Sequence, residues 1–99
     1  MIVELECLPS PSGTADNRYA FVEAAIAVIE RAGLRYAVSP LGTTFEGPPD
    51  RVWAVLREAH EACLAAGAQR LVSVVKIAEA ADAGDLTMDG LTAKYRDHG

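Results

Sequence analysis

Two glycines divide this chain into halves built alike. Between about Asp16 and Ala32, Val22, Ile26 and Ile29 recur at helical spacing, flanked by Tyr19, Phe21 and Ala25, and Gly33 then supplies the stop. Further on, Val52, Leu56, Ala59 and Cys63 form a second helical stripe, with Trp53, His60 and Leu64 beside it, and Gly67 closes it. Each helix is preceded and followed by a short run with strand character, so each half reads strand, helix, strand.

The first strand, Ile2 to Leu8, alternates, with Val3, Leu5 and Cys7 on one face and Ile2, Glu4, Glu6 and Leu8 on the other. Pro9-Ser10-Pro11-Ser12-Gly13 ends it by removing backbone donors and supplying turn residues. Leu34 to Ser39 is a second strand, Gly42 marks a reversal, and Thr43 to Glu46 is a short third strand, so the two form a hairpin. Gly47-Pro48-Pro49-Asp50 opens the second helix, where proline in the first turn loses no hydrogen bond and Asp50 complements the dipole.

Arg70 to Ile77 is the fourth strand, apolar on both faces: Leu71, Val75 and Ile77 on one, Val72 and Val74 on the other. Ala80 to Gly84 reads as a small, flexible stretch, and Thr87 to His98 as a short helix despite Gly90. The order βαββαβ is that of the split βαβ, or ferredoxin-like, sandwich: an α+β fold with two helices on one face of an antiparallel sheet. At 99 residues the chain makes one domain, with a core over about 2–78 and a tail over 79–99. The other sheet face is left bare, and an edge strand apolar on both faces calls for cover, so a homo-oligomer joined by sheet contacts is expected.

A net charge of −5 argues against a nucleic-acid partner, which requires clustered positive charge. No apolar run approaches the roughly 20 residues that span a bilayer. The acidic opening Met1-Ile2-Val3-Glu4-Leu5-Glu6 is unlike a signal peptide, and a cytoplasmic protein is expected. Cys7 and Cys63 are too few for a disulfide scaffold and read as reduced thiols in the core.

No metal-ligand spacing, nucleophile elbow, phosphate loop or dinucleotide fingerprint is present, so neither a metal nor a cofactor is expected. His60, beside the second helical stripe, reads as a hydrogen-bonded structural histidine, with a catalytic base as the alternative. Glu4 and Glu6 share a strand face and could serve acid–base chemistry, or simply meet solvent or another subunit. The hairpin is the richer cluster. Ser39, Thr43 and Thr44 bring hydroxyls that donate and accept, Glu46 brings an acceptor, and Tyr36, Phe45 and Trp53 are aromatic neighbours able to stack on a flat ring. Taken alone, these residues are equally those of an ordinary strand and core.

The run Tyr36-Ala37-Val38-Ser39-Pro40-Leu41-Gly42-Thr43-Thr44-Phe45-Glu46-Gly47 resembles the signature hairpin of the thiamine-binding protein family, the YkoF-like group. The resemblance continues through Val52-Trp53, Ala59-His60-Glu61-Ala62, Gly67-Ala68-Gln69-Arg70 and Val74-Val75-Lys76-Ile77, with Glu4 and Pro9 matching in the first strand. Ala78-Glu79-Ala80-Ala81-Asp82, without the family's arginine, and Leu91, where a lysine is common, depart from the pattern. The resemblance implies a cytoplasmic dimer or tetramer that binds thiamine or its hydroxymethylpyrimidine part without catalysis. Residue chemistry then makes Glu4, Ser39, Thr43, Thr44 and Glu46 the candidate ligand contacts. The alternatives are a small oligomeric enzyme on the same scaffold, with His60 or Glu4 as base, and a structural or regulatory oligomer without a ligand.

Overall fold

A computed structural model of the chain describes residues 1–82 and 86–98. The elements run β1 (Ile2–Ser10), α1 (Ala20–Arg31), β2 (Arg35–Ser39), β3 (Gly42–Glu46), α2 (Pro49–Ala66), β4 (Arg70–Ala78) and α3 (Met88–Thr92), and a 3₁₀ turn follows over Ala93–His98. The four strands form one antiparallel sheet in the order β2-β3-β1-β4, which is the ferredoxin-like arrangement. Helices α1 and α2 cover one face. The short tail helix anticipated from Thr87 onward is present, whereas Ala83 and Gly84 of the stretch read as flexible lie outside the described residues.

Strand alternation decides what each side chain meets. Val3, Leu5, Thr43 and Phe45 point toward the helices and are buried with Phe21, Ala25, Ile29, Val52, Ala59 and Cys63. Val3 and Phe45 are paired in register at the sheet centre and are both fully buried. Gly67, at φ 132°, ends α2 in a conformation L side chains rarely adopt, and its missing Cβ leaves room for the Phe21 ring.

Helix α1 starts four residues later than its apolar spacing suggests. Asn17 accepts from the Tyr19 backbone N–H at 3.0 Å and donates to Glu23 at 2.6 Å, while Thr14 and Asn17 bond each other across the loop. The side chains around Asp16 therefore build a closed turn ahead of the helix. β1 is also longer than expected, extending through Pro9 to Ser10 opposite Arg70. Proline is tolerated there because that part of β1 bonds to β4 alone, leaving its other edge without a ladder to interrupt.

The helix-free face is only partly bare. Ile2 is buried on it, and α3 lies over that end of the sheet beside Ile2, Arg35, Ala37 and Thr44. Leu8, Val72 and Val74 remain exposed on the same face. Replacing the buried Phe45 with alanine is expected to lower stability by about 3–5 kcal/mol in urea unfolding. Leu41→Ala, at a hairpin tip that is 79% exposed, should stay within about 0.5 kcal/mol.

Candidate functional site

β1 pairs with β4 along all nine of its residues, from Ile2 opposite Ala78 to Ser10 opposite Arg70. On the other side it pairs with β3 only from Ile2 to Leu5, because the hairpin turns at Pro40-Leu41. Beyond Leu5 the sheet therefore has a notch. Alternate residues of β1 there aim their N–H and C=O groups at no strand.

Helix α1 roofs this notch, leaving a cavity of about 200 Å³. Its floor is Leu5, Glu6 and Cys7; its roof is Val22, Ala25, Ile26 and Ile29; its outer wall is the hairpin tip, Ser39 to Thr43; and Tyr19 stands at its rim. An apolar cavity of about 150 Å³ holds a benzene, so this one has the scale of a single six-membered ring. The Arg18 guanidinium stacks over Tyr19, 5.2 Å from the ring centroid.

Alternation separates the five sequence-derived candidates. Thr43 points into the cavity, whereas Ser39, which by alternation shares the other face with Ala37, borders it as part of the hairpin tip. Thr43 is 5% exposed, and its hydroxyl has no hydrogen-bond partner among the described residues. No described side-chain polar atom is both wholly buried and unsatisfied, so that hydroxyl is reached from the cavity. Ser39 donates to the Gly42 carbonyl at 2.9 Å and fixes the hairpin tip, keeping its lone pairs available.

Glu4 and Thr44 are opposite each other on the other face, in a row that runs Ala37, Thr44, Glu4, Lys76. Lys76 Nζ is 3.9 Å from Glu4, an exposed pair of little energetic weight. Glu46 also lies on that face. It accepts from the Met88 backbone N–H at 2.9 Å, and beside it Arg35 binds Asp89 at 2.7 Å, so the hairpin anchors α3. The Asp89 carboxylate, through its hydrogen bond first and its charge second, raises the Arg35 pKa.

Of the aromatic candidates, Phe45 is sealed in the core and Tyr36 reaches Glu30 at 3.4 Å. Trp53 lines a separate groove of about 230 Å³ between α2 and β4, with Leu56, Arg57, His60, Ser73 and Val75. The aromatic at the cavity is Tyr19, which the sequence placed only as a helix flank. Cys7 was legible as apolar, but not as cavity wall.

His60 Nδ1 is 2.6 Å from Ser73 Oγ, so the histidine is hydrogen-bonded, tying α2 to β4. Among the described residues no group of three or more His, Cys, Asp or Glu side chains is placed to hold a metal. Nor is any described helix long and apolar enough to cross a membrane.

Cys63 is fully buried and donates to the Phe21 carbonyl at 3.2 Å. Burial first, then neighbouring Cys7, pushes its thiol up from 9.0 to about 12. The stabilisation from keeping it neutral is whole below pH 9 and is lost as the pH rises through about 12, because the unfolded thiol ionises first.

The chain belongs to the thiamine-binding protein family, whose model matches residues 3–96. It is 38% identical over 95 residues to a UPF0045 protein of Clostridium perfringens, covering 95% of each chain. Among solved structures it resembles a domain of unknown function, DUF77, from Bacillus cereus, with TM-score 0.81 and 33% identity over 99% of this chain and 93% of that one. It also resembles a Thermotoga maritima protein whose name suggests a role in thiamine biosynthesis or salvage, with TM-score 0.79 and 25% identity over 96% of this chain and 97% of that one.

Two outcomes follow from this geometry. Glu46→Ala should loosen the tail, raising amide exchange over Met88–Thr92 by about fivefold for the loss of roughly 1 kcal/mol, while the urea midpoint of the core holds. Between pH 8 and 10.5 the native chain should lose more urea stability than Cys63→Ala, and iodoacetamide should reach Cys63 only after unfolding.

Proposed function

We propose that the notch cavity binds the aminopyrimidine ring of thiamine or of hydroxymethylpyrimidine, and that the protein is a non-catalytic binding protein. The observation that carries this reading is the unpartnered Thr43 hydroxyl in a ring-sized, largely apolar cavity of a chain that belongs to the thiamine-binding family. Thr43 supplies side-chain polarity, and the unpaired stretch of β1 supplies backbone donors and acceptors, which together complement the alternating edge of an aminopyrimidine. The thiazolium lies outward at the rim, where the Tyr19 ring offers a face.

In this assignment Glu46 holds the tail, Thr44 lies beside it, and Glu4 belongs to a surface that meets a second copy. Leu8, Val72 and Val74 form the apolar part of that surface, continuous with the Glu4–Lys76 row. A homo-oligomer closed over the helix-free face is the arrangement they favour. The two free cysteines suit a reducing, cytoplasmic setting.

Calorimetric titration with thiamine and with hydroxymethylpyrimidine should give saturable binding that Thr43→Val weakens about tenfold, the worth of one hydrogen bond. Glu4→Gln should bind as the native chain does. Absence of heat with both ligands, or a loss in Glu4→Gln equal to that in Thr43→Val, would refute the assignment. Light scattering should show a multiple of the 10.5 kDa chain, reduced to a monomer by Val72→Glu with Val74→Glu. A native monomer at micromolar concentration would remove the oligomer.

A further inference from the structure

Cys7 on β1 and His60 on α2 are joined through Ser73 on β4. Ser73 Oγ lies 2.6 Å from His60 Nδ1 and 3.7 Å from Cys7 Sγ, and all three side chains are partly buried between α2 and the sheet. Cys7 lines the notch cavity, whereas His60 and Ser73 line the separate groove beside Trp53. One short row of polar side chains thus connects an outer groove with the cavity wall.

The hydroxyl of Ser73 has one proton and two neighbours that can receive it. When His60 is neutral and Nδ1 is the acceptor, that proton goes to the imidazole, and Ser73 Oγ is left to accept from the Cys7 thiol. The Cys7 sulfur then turns lone pairs toward the cavity. When His60 is charged, both ring nitrogens are donors, so Nδ1–H donates to Ser73 and the hydroxyl proton turns to Cys7 Sγ. The row reverses direction.

Its surroundings leave this exchange to His60. On α2 the nearby charges are Arg57 and Glu61, which pair with each other at 2.8 Å. The β4 side of the groove contributes Ser73 and Val75, and β1 contributes Cys7. Cys63 donates to the Phe21 carbonyl and lies beside Cys7, a second thiol neighbour that is the same in both states of the row.

We propose that the His60–Ser73–Cys7 row sets the hydrogen-bond polarity of the cavity wall, so that an aminopyrimidine binds more tightly when His60 is neutral than when it is charged. The ligand in this statement rests on the function proposed above; the row itself does not. Neutral His60 leaves Cys7 as an acceptor for the exocyclic amine. Charged His60 withdraws that acceptor and places a positive charge behind the wall, which disfavours both an amine donor and the thiazolium. Ser73 and His60 act through Cys7 and are positioning residues.

Calorimetric titration of hydroxymethylpyrimidine is compared from about pH 8 to about pH 5.5. The native chain should lose about three- to tenfold more affinity across that range than His60→Gln, the scale of one weak hydrogen bond. Taking the ratio of the two proteins cancels the ligand's own protonation. Ser73→Ala should follow His60→Gln, and Ser73→Thr, which keeps the hydroxyl, should follow the native chain. A native-to-variant ratio constant across the series overturns the proposal.

A second readout needs no ligand. The rate of Cys7 alkylation by iodoacetamide should show a step where His60 titrates in the native chain and Ser73→Thr, absent from His60→Gln and Ser73→Ala, with unreacted Cys63 confirming the fold. Identical profiles in all four proteins overturn the row. Failure to bind at any pH with the step intact defeats the binding reading and leaves the row standing.

Discussion

The unequal pairing of β1 is the constraint on which the rest of the molecule depends. One strand is matched along its full length by β4 and along less than half of it by β3. A five-residue β3 cannot satisfy a nine-residue neighbour, so the sheet has to end in a step. Were the hairpin longer, the space under α1 would be filled by strand and the site would not exist. Because it is short, backbone polar groups and the Thr43 hydroxyl meet at the edge of an otherwise apolar layer, where such groups need a partner.

The hairpin serves both faces of the sheet at once. Phe45 and Thr43 point inward, one to the core and one to the cavity, while Thr44 and Glu46 point outward to the open face and the tail. The same alternation that seals Val3 against Phe45 therefore prevents neighbouring polar residues from sharing a site. On the outer side, the Glu46 and Arg35 contacts hold α3 over Ile2, and the exposed Leu8, Val72 and Val74 begin where that cover stops.

Much of this fold was legible in residue order. Helix and strand periods, with Gly33 and Gly67 as stops, were enough for the ferredoxin-like arrangement, because each half could bury its apolar stripe in few ways. The start of α1 was not legible from apolar spacing, since Asn17 diverts the backbone donors at Tyr19 into a turn. The candidate contacts were harder still. Adjacency in sequence grouped Thr43 with Thr44 and Glu46, although period two splits them between faces; Ser39 and Thr43 stand at the cavity, and Glu4 stands across the sheet from it. Tyr19 and Cys7 entered the cavity wall through tertiary packing, which no local pattern announces. The one sequence signal that could have found the notch is the mismatch in length between the first strand and the third.

A ligand in that notch has to perturb one end of β1 and leave the open face alone. The most direct measurement is the amide chemical-shift map of the ¹⁵N-labelled chain titrated with hydroxymethylpyrimidine. Shifts concentrated at Glu6, Cys7, Tyr19 and Leu41 to Thr43, saturating together, are the predicted result. Shifts centred instead on the open-face residues Glu4, Val74 and Lys76, or none at saturating ligand, would contradict the account.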